Sequence, residues 1–104
     1  MNYVNLIGKM ASAPKFRELE NGRTVASFTM STKEPFLDEK GNPKSKSHWH
    51  KLTAWGNWIP VIQELAEPGV KLAIEGRLIT RFYNDKTGKR QSISEVEVND
   101  LIIL

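Results

Sequence analysis

Apolar and polar residues alternate along most of this chain. From Tyr3 to Met10, Val4, Leu6 and Met10 fall on one parity, the period of a strand with one buried face. After a turn at Ala13-Pro14, Lys15 to Leu19 is a short extended piece. Asn21-Gly22 marks a tight turn between strands. Arg23 to Thr32 then sets Ala26, Phe28 and Met30 on one face. Lys33 to Ser47 breaks the alternation with Pro35, Gly41, Pro43 and many charges. It predicts a long loop, and such loops in small domains are often functional. His48 to Gly56 is the next strand. Asn57 to Ala66 predicts a short helix, with Ile59, Ile62 and Leu65 at helical spacing, Pro60 early and Pro68-Gly69 beyond its end. Val70 to Thr80 is a strand whose Val70, Leu72, Ile74 and Leu78 share a face, with Gly76 where a barrel strand bends. Asn84 to Gly88 reads as a hairpin tip. Ile93 to Leu104 closes the series, with Val96, Val98 and Ile102 on one parity.

Five main strands with one helix between the third and fourth leave few folds. The pattern predicts an all-β OB-fold, a five-stranded Greek-key barrel with one short helix between strands 3 and 4. An SH3-like barrel lacks that helix, and a ferredoxin-like fold needs a second. No repeat, linker or low-complexity tract divides the chain, so residues 1–104 are read as one domain.

Composition narrows the chemistry. Cysteine is absent, which removes disulfides, thiolate metal sites and cysteine nucleophiles. No apolar run approaches the ~18 residues of a membrane span. Asn2, Asn5 and Lys9 make the N-terminus unlike a signal peptide, and a cytoplasmic setting is expected. The net charge of +3 permits a polyanion partner without requiring one. Its distribution says more. Residues 40–51 carry Lys40, Lys44, Lys46 and Lys51 with no acid, and residues 77–90 carry Arg77, Arg81, Lys86, Lys89 and Arg90 against Asp85 alone. The two stretches either form one positive surface or remain separate solvated loops.

The strand 48–56 is the most informative. Alternation puts Trp49, Lys51, Thr53 and Trp55 on one face and His50, Leu52 and Ala54 on the other. Two tryptophans about 20 Å apart, on a face that also carries a lysine, are what a groove for a single strand needs. Phe36, in the long loop beside the first basic stretch, and Tyr83, within the second, are two more candidates. Each aromatic also has a plainer reading: Trp49 and Trp55 as core residues, Phe36 as an anchor for its loop. Trp58, Phe28 and Phe16 are assigned to packing. Phe82 has the opposite parity to Tyr83, so one of the two is expected to face ligand.

Catalytic chemistry finds no support. Gly8-Lys9 and Gly88-Lys89 lack the Ser or Thr of a phosphate-binding loop. His48 and His50 share a strand face without a third ligand, so no metal or cofactor is expected and both are assigned structural or interface roles. Glu18/Glu20 and Glu95/Glu97 read as solvated faces rather than acid/base pairs. The chain is read as a binding module and not an enzyme.

Several segments then coincide with a known pattern: Val4-Asn5-Leu6-Ile7-Gly8; Asn21-Gly22 before Val25-Ala26-Ser27-Phe28; Trp49-His50-Lys51 leading to Trp55-Gly56; Ile74-Glu75-Gly76-Arg77-Leu78; Asp85-Lys86-Thr87-Gly88; and Glu95-Val96-Glu97-Val98. In this order and spacing, from Tyr3 to Asn99, the chain resembles the DNA-binding domain of the bacterial single-stranded-DNA-binding protein family. The resemblance implies an OB fold, sequence-tolerant coating of single-stranded DNA in replication, recombination and repair, a nucleoid-associated location, and a homo-oligomer, most often a tetramer. It carries stacking roles onto Phe36, Trp49, Trp55 and Tyr83. The family often has Trp where Phe36 and Tyr83 stand and Phe where Trp55 stands, swaps that keep an aromatic face. Phosphate contacts are then expected from Lys33, Lys51, Arg77 and Arg81, with Lys44, Lys46, Lys89 and Arg90 from loops. The family's flexible linker and acidic tip are not seen before the sequence stops at Leu104, so partners recruited by a tail are not expected from this chain. The alternatives are a primosome accessory OB-fold dimer, which also binds single strands and bridges replication proteins, and a barrel specific for protein or RNA. The outward row Tyr3, Asn5 and Ile7 is a candidate subunit contact.

Overall fold

The computed structural model describes residues 2–104, apart from the side chain of Leu65, so the third residue of the expected helical apolar row lies outside the described residues. The elements are β1 (Val4–Met10), β2 (Lys15–Glu18), β3 (Thr24–Leu37), β4 (Pro43–Trp55), α1 (Trp58–Leu65), β5 (Lys71–Asn84) and β6 (Arg90–Ile103). Their sheet order is β1-β5-β6-β4-β3-β2, and β1 also pairs with β3. That last pairing closes five strands into a barrel, with β2 flanking β3 on its outside. The topology is the expected OB-fold. All neighbours are antiparallel except β4 and β6.

The barrel consists of two broad ribbons joined by two short seams. One ribbon is β2-β3-β4 and the other is β1-β5-β6. The first seam pairs Lys9 with Ser31 and Met10 with Met30. The second pairs Leu52 with Val96 and Thr53 with Glu97. Gly8 makes the first seam possible: a Cβ there would sit 2.0 Å from the Ser31 carbonyl oxygen. Gly76 has a similar role on β5, where a Cβ would lie 2.2 Å from the Glu97 carbonyl oxygen.

The core is filled as the alternation requires. Met10, Ala26, Phe28, Met30, Leu52, Ala54, Leu72 and Ile74 are buried. Helix α1 closes one end of the barrel with a fully buried Ile62 and a half-buried Ile59, and Trp58 packs against the core as expected. Pro60 lies in the first turn, where its missing N–H costs no helical hydrogen bond.

Two expectations need correction. Ile102 does not share the inward row with Val96 and Val98; it is 57% exposed, while Leu101 is 5% exposed. The pairing register slips between Gly76–Val98 and Glu75–Asp100, which leaves Asn99 as an extra residue on β6. This β-bulge reverses the parity, so Leu101 rather than Ile102 points inward. The second correction is to Lys33–Ser47. It is not a loop but the two strands of a hairpin arm, paired without a break from Lys33–Ser47 to Leu37–Pro43. Likewise β5 and β6 continue past the barrel as a second arm to Asn84–Arg90. With a radius of gyration of 15.9 Å, against about 13 Å for a compact domain of this length, the arms clearly project from the barrel.

The arms end in turns of one design. Asp38 N–H donates to the Asn42 carbonyl and Gly41 N–H to the Asp38 carbonyl; Asp85 and Lys89, with Gly88, repeat the arrangement, as do Leu19 and Arg23, with Gly22. Each glycine holds a positive φ near 80°, which a side chain would strain. Asp38 Oδ1 accepts from the Lys40 and Asn42 N–H groups. Asp85 Oδ1 accepts from the Thr87 and Lys89 N–H groups and from the Thr87 hydroxyl.

Candidate nucleic-acid interface

The outward face of β4 meets those of β2, β3, β5 and β6 in one shallow recess. It has a volume of about 400 Å³ and is lined by Lys15, Arg17, Ser27, Lys51, Thr53, Trp55, Arg81 and Glu95. Strand alternation and register explain the membership. Lys15 and Arg17 sit opposite Ser27 and Val25, which sit opposite Thr53 and Trp55. Residues opposite one another in a ladder share a face. The two basic stretches of the sequence therefore meet at their roots, where Lys51 and Arg81 line the same recess.

Farther along β4, Trp49 is 67% exposed. An indole left that far in water on a strand face beside Lys51 is not core packing. Trp55 is half-buried, with the Arg23 guanidinium 4.9 Å from its ring centroid, a cation–π distance. Its Nε1–H has no hydrogen-bond partner among the described residues, nor has the buried Thr53 hydroxyl beside it.

The remaining aromatics divide by face. Tyr83 is exposed and shares its face with Arg81 and Glu95, while Phe82 faces the other way beneath Arg90, whose guanidinium is 4.5 Å from the ring centroid. Phe36 is exposed on the side of the first arm that also carries Lys44 and Lys46, opposite to the side of Trp49 and Lys33. The structure thus brings Trp49, Lys51, Trp55, Arg81 and Tyr83 onto one continuous face, with Lys33 and Arg77 along its margins. It places Phe36, Lys44, Lys46 and Arg90 on the reverse of the arms and Lys89 in a turn. A strand touching all of them would have to pass around the arms, not along a single groove.

Glu95 corrects the reading of a solvated carboxylate row. It is 4% exposed and ion-paired with Arg81. Glu97 is bound by Arg77 at 3.3 Å. The histidines take up structural contacts: His48 Nε2 lies 2.8 Å from Glu34 and His50 Nε2 2.9 Å from the Thr32 hydroxyl. Burial first, and then the neighbouring His48, hold the His50 imidazole below its ordinary pKa. Phe16, assigned to packing, is 39% exposed on the face of β2 opposite Ala26.

Lys15, Arg17 and Arg23 were not among the sequence candidates. The signal was present: Lys15 and Arg17 are two residues apart on a strand that leads into the Asn21-Gly22 turn, so both had to share the face of the strand that follows.

Comparison with known proteins adds to this geometry. A family model described as the single-strand binding protein family matches residues 1–104. The chain is 36% identical over 105 aligned positions to single-stranded DNA-binding protein 1 of Chlorobaculum tepidum, covering 100% of this chain and 65% of that protein. It therefore spans slightly under two thirds of that relative's length. Its fold superposes with a TM-score of 0.90 on the Plasmodium falciparum SSB in complex with ssDNA, at 29% identity over 100% of this chain and 95% of that one. A deletion mutant of the single-stranded DNA binding protein from Thermus aquaticus gives a TM-score of 0.86 at 25% identity, covering 100% of this chain and 50% of that one.

Proposed function

The chain belongs to the single-strand binding protein family, and from that we propose that it binds and coats single-stranded DNA without sequence preference and without catalysis, in support of replication, recombination and repair. The observation that carries this reading is the exposed Trp49 beside Lys51, on the face that runs into the basic recess. Bases stack on Trp49, Trp55, Tyr83 and, around the first arm, Phe36. Each contact contributes roughly 1–3 kcal/mol and tolerates any base, because every base has a π-face. Lys51 and Arg81, with Lys33 and Arg77 at the margins, neutralise phosphates. Lys15, Arg17 and Arg23 extend that set. Lys44, Lys46, Lys89 and Arg90 act from the arms.

We place the protein in the bacterial cytoplasm, associated with the nucleoid. Among the described residues no helix is long and apolar enough to cross a membrane. The outer face of β1-β5-β6 exposes Tyr3, Ile7 and Ile102 together. Exposed apolar side chains set around Asn5, Glu75 and Asp100 on this sheet face support a homo-oligomer, with a tetramer expected for a coating protein. Sedimentation gives the subunit number; a dimer would favour an accessory role bridging replication proteins.

The direct test is tryptophan fluorescence during titration with oligo-dT at low and high salt. Strong quenching is expected at several nucleotides per subunit. Log affinity should fall against log salt with a slope of roughly −0.7 per phosphate contacted. A tryptophan signal that does not respond, with no binding by filter retention, would return the indoles to a purely structural role.

A further inference from the structure

Arg81 and Arg77 face the same way on β5, yet carboxylates hold them differently. Glu97 takes a terminal nitrogen of Arg77, Nη2. Glu95 takes the inner nitrogen of Arg81, Nε. The Glu95 carboxylate is buried, while the Arg81 side chain is 54% exposed. With Nε tied down from below, the outer edge of the guanidinium, carrying both Nη groups, has no protein partner among the described residues and lies at the wall of the recess. A planar guanidinium fixed at one edge presents the other as a preset two-pronged donor, the geometry that suits a phosphate.

Burying a carboxylate for a single ion pair contributes little net stability, because desolvation offsets the attraction. Burial of Glu95 beneath a groove for a polyanion is also unfavourable by charge alone. Both costs have a reason if the carboxylate sets the direction of Arg81. We propose that Glu95 is a positioning residue that orients Arg81 toward the phosphates of the bound strand. The proposal rests on the DNA-binding reading above.

Two substitutions with the same net charge separate placement from electrostatics. Glu95→Met removes the acceptor, and Glu95→Gln keeps an acceptor oxygen for Nε–H. Long-range electrostatics predicts that both bind oligo-dT more tightly than the parent protein, and equally. Positioning predicts that Glu95→Met binds more weakly than Glu95→Gln by on the order of tenfold, the loss of one charge-assisted contact. In an Arg81→Gln background the difference between the two should vanish. Thermal melts of each variant confirm that binding is measured on folded protein. Should Glu95→Met not fold, Arg81→Lys tests the same point: it keeps the charge without the fork that Glu95 directs, and its affinity should fall clearly below that of the parent protein. Equal binding by Glu95→Met and Glu95→Gln, or parental binding by Arg81→Lys, overturns the proposal. A parent protein that fails to bind oligo-dT at low salt overturns the reading on which it rests.

Discussion

Trp49 and Trp58 are nine residues apart and have opposite surroundings. Trp49 stands on a strand face with most of its ring in water, and Trp58 is folded against the core from α1. Replacing Trp49 with alanine should therefore weaken binding to single-stranded DNA by roughly 1–3 kcal/mol with little change in the thermal midpoint. Trp58→Ala should do the reverse, lowering stability by less than the roughly 3–5 kcal/mol of a fully buried aromatic, because Trp58 is half-buried. Titrations and melts of the same two preparations check both. The sequence carried part of this distinction: strand parity put Trp49 and Lys51 on one side and Leu52 and Ala54 on the other, with a core reading of Trp49 left open, and the helical position of Trp58 assigned it to packing. Glu95 was not legible. Parity places it outward like Glu97, yet in the recess, paired with Arg81, it is buried, while Glu97 is partly exposed. Such a difference depends on which strands become neighbours, which a pattern along one strand does not contain.

At the scale of elements, the strands and helix of the barrel followed from alternation, whereas the arms did not. Pro35, Pro43 and the dense charges between them resemble loop composition, yet neither proline interrupts the pairing of β3 with β4. Arms exposed on both faces have no apolar side to mark them, so binary patterning does not signal them. Their turns do carry a mark: an aspartate three residues before a glycine, at Asp38–Gly41 and at Asp85–Gly88. The Asp85 carboxyl is held below its usual pKa, first by the Thr87 hydroxyl and then by the Lys89 N–H, the Gln91 amide and the Thr87 N–H. A carboxyl with a depressed folded pKa supports its structure above its unfolded value and loses that support as pH falls through the folded one. The second arm should thus be firm at neutral pH and loosen as acid is added below the ordinary carboxylate range. Amide exchange or NMR shifts at Thr87 and Lys89 should follow that titration. In Asp85→Asn the same signals should be insensitive to acid over that range.

The whole molecule depends on its two seams. The ribbons β2-β3-β4 and β1-β5-β6 each have long ladders, whereas each seam registers two residue pairs among the described residues, the first extended by the Ala11 N–H on the Thr29 carbonyl. The recess spans the second seam: Lys51, Thr53 and Trp55 belong to one ribbon, Arg81 and Glu95 to the other. Gly8 lets β1 approach β3 at the first seam, while Gly76 and the bulge at Asn99 shape the β5–β6 ladder, and the sequence carried only part of this. Gly76 was legible as a bend; the reversal of parity at Asn99 was not, because an extra residue in one strand shows only against its partner.

A native protein opens in brief local excursions that leave the rest folded, and a short ladder between two ribbons leaves few backbone bonds to break in one of them. The β4–β6 seam is then a line of breathing, and under the proposed function a strand of DNA laid across it would be a splint that must be lost before the halves can part. In hydrogen exchange by mass spectrometry, the segments containing Leu52, Thr53, Val96 and Glu97 should slow more than the arm tips when oligo-dT is bound. Equal slowing everywhere would mean that the barrel opens only as a whole. If the seam is the part that slows, the ligand acts as the missing rungs of a ladder that the chain itself leaves short.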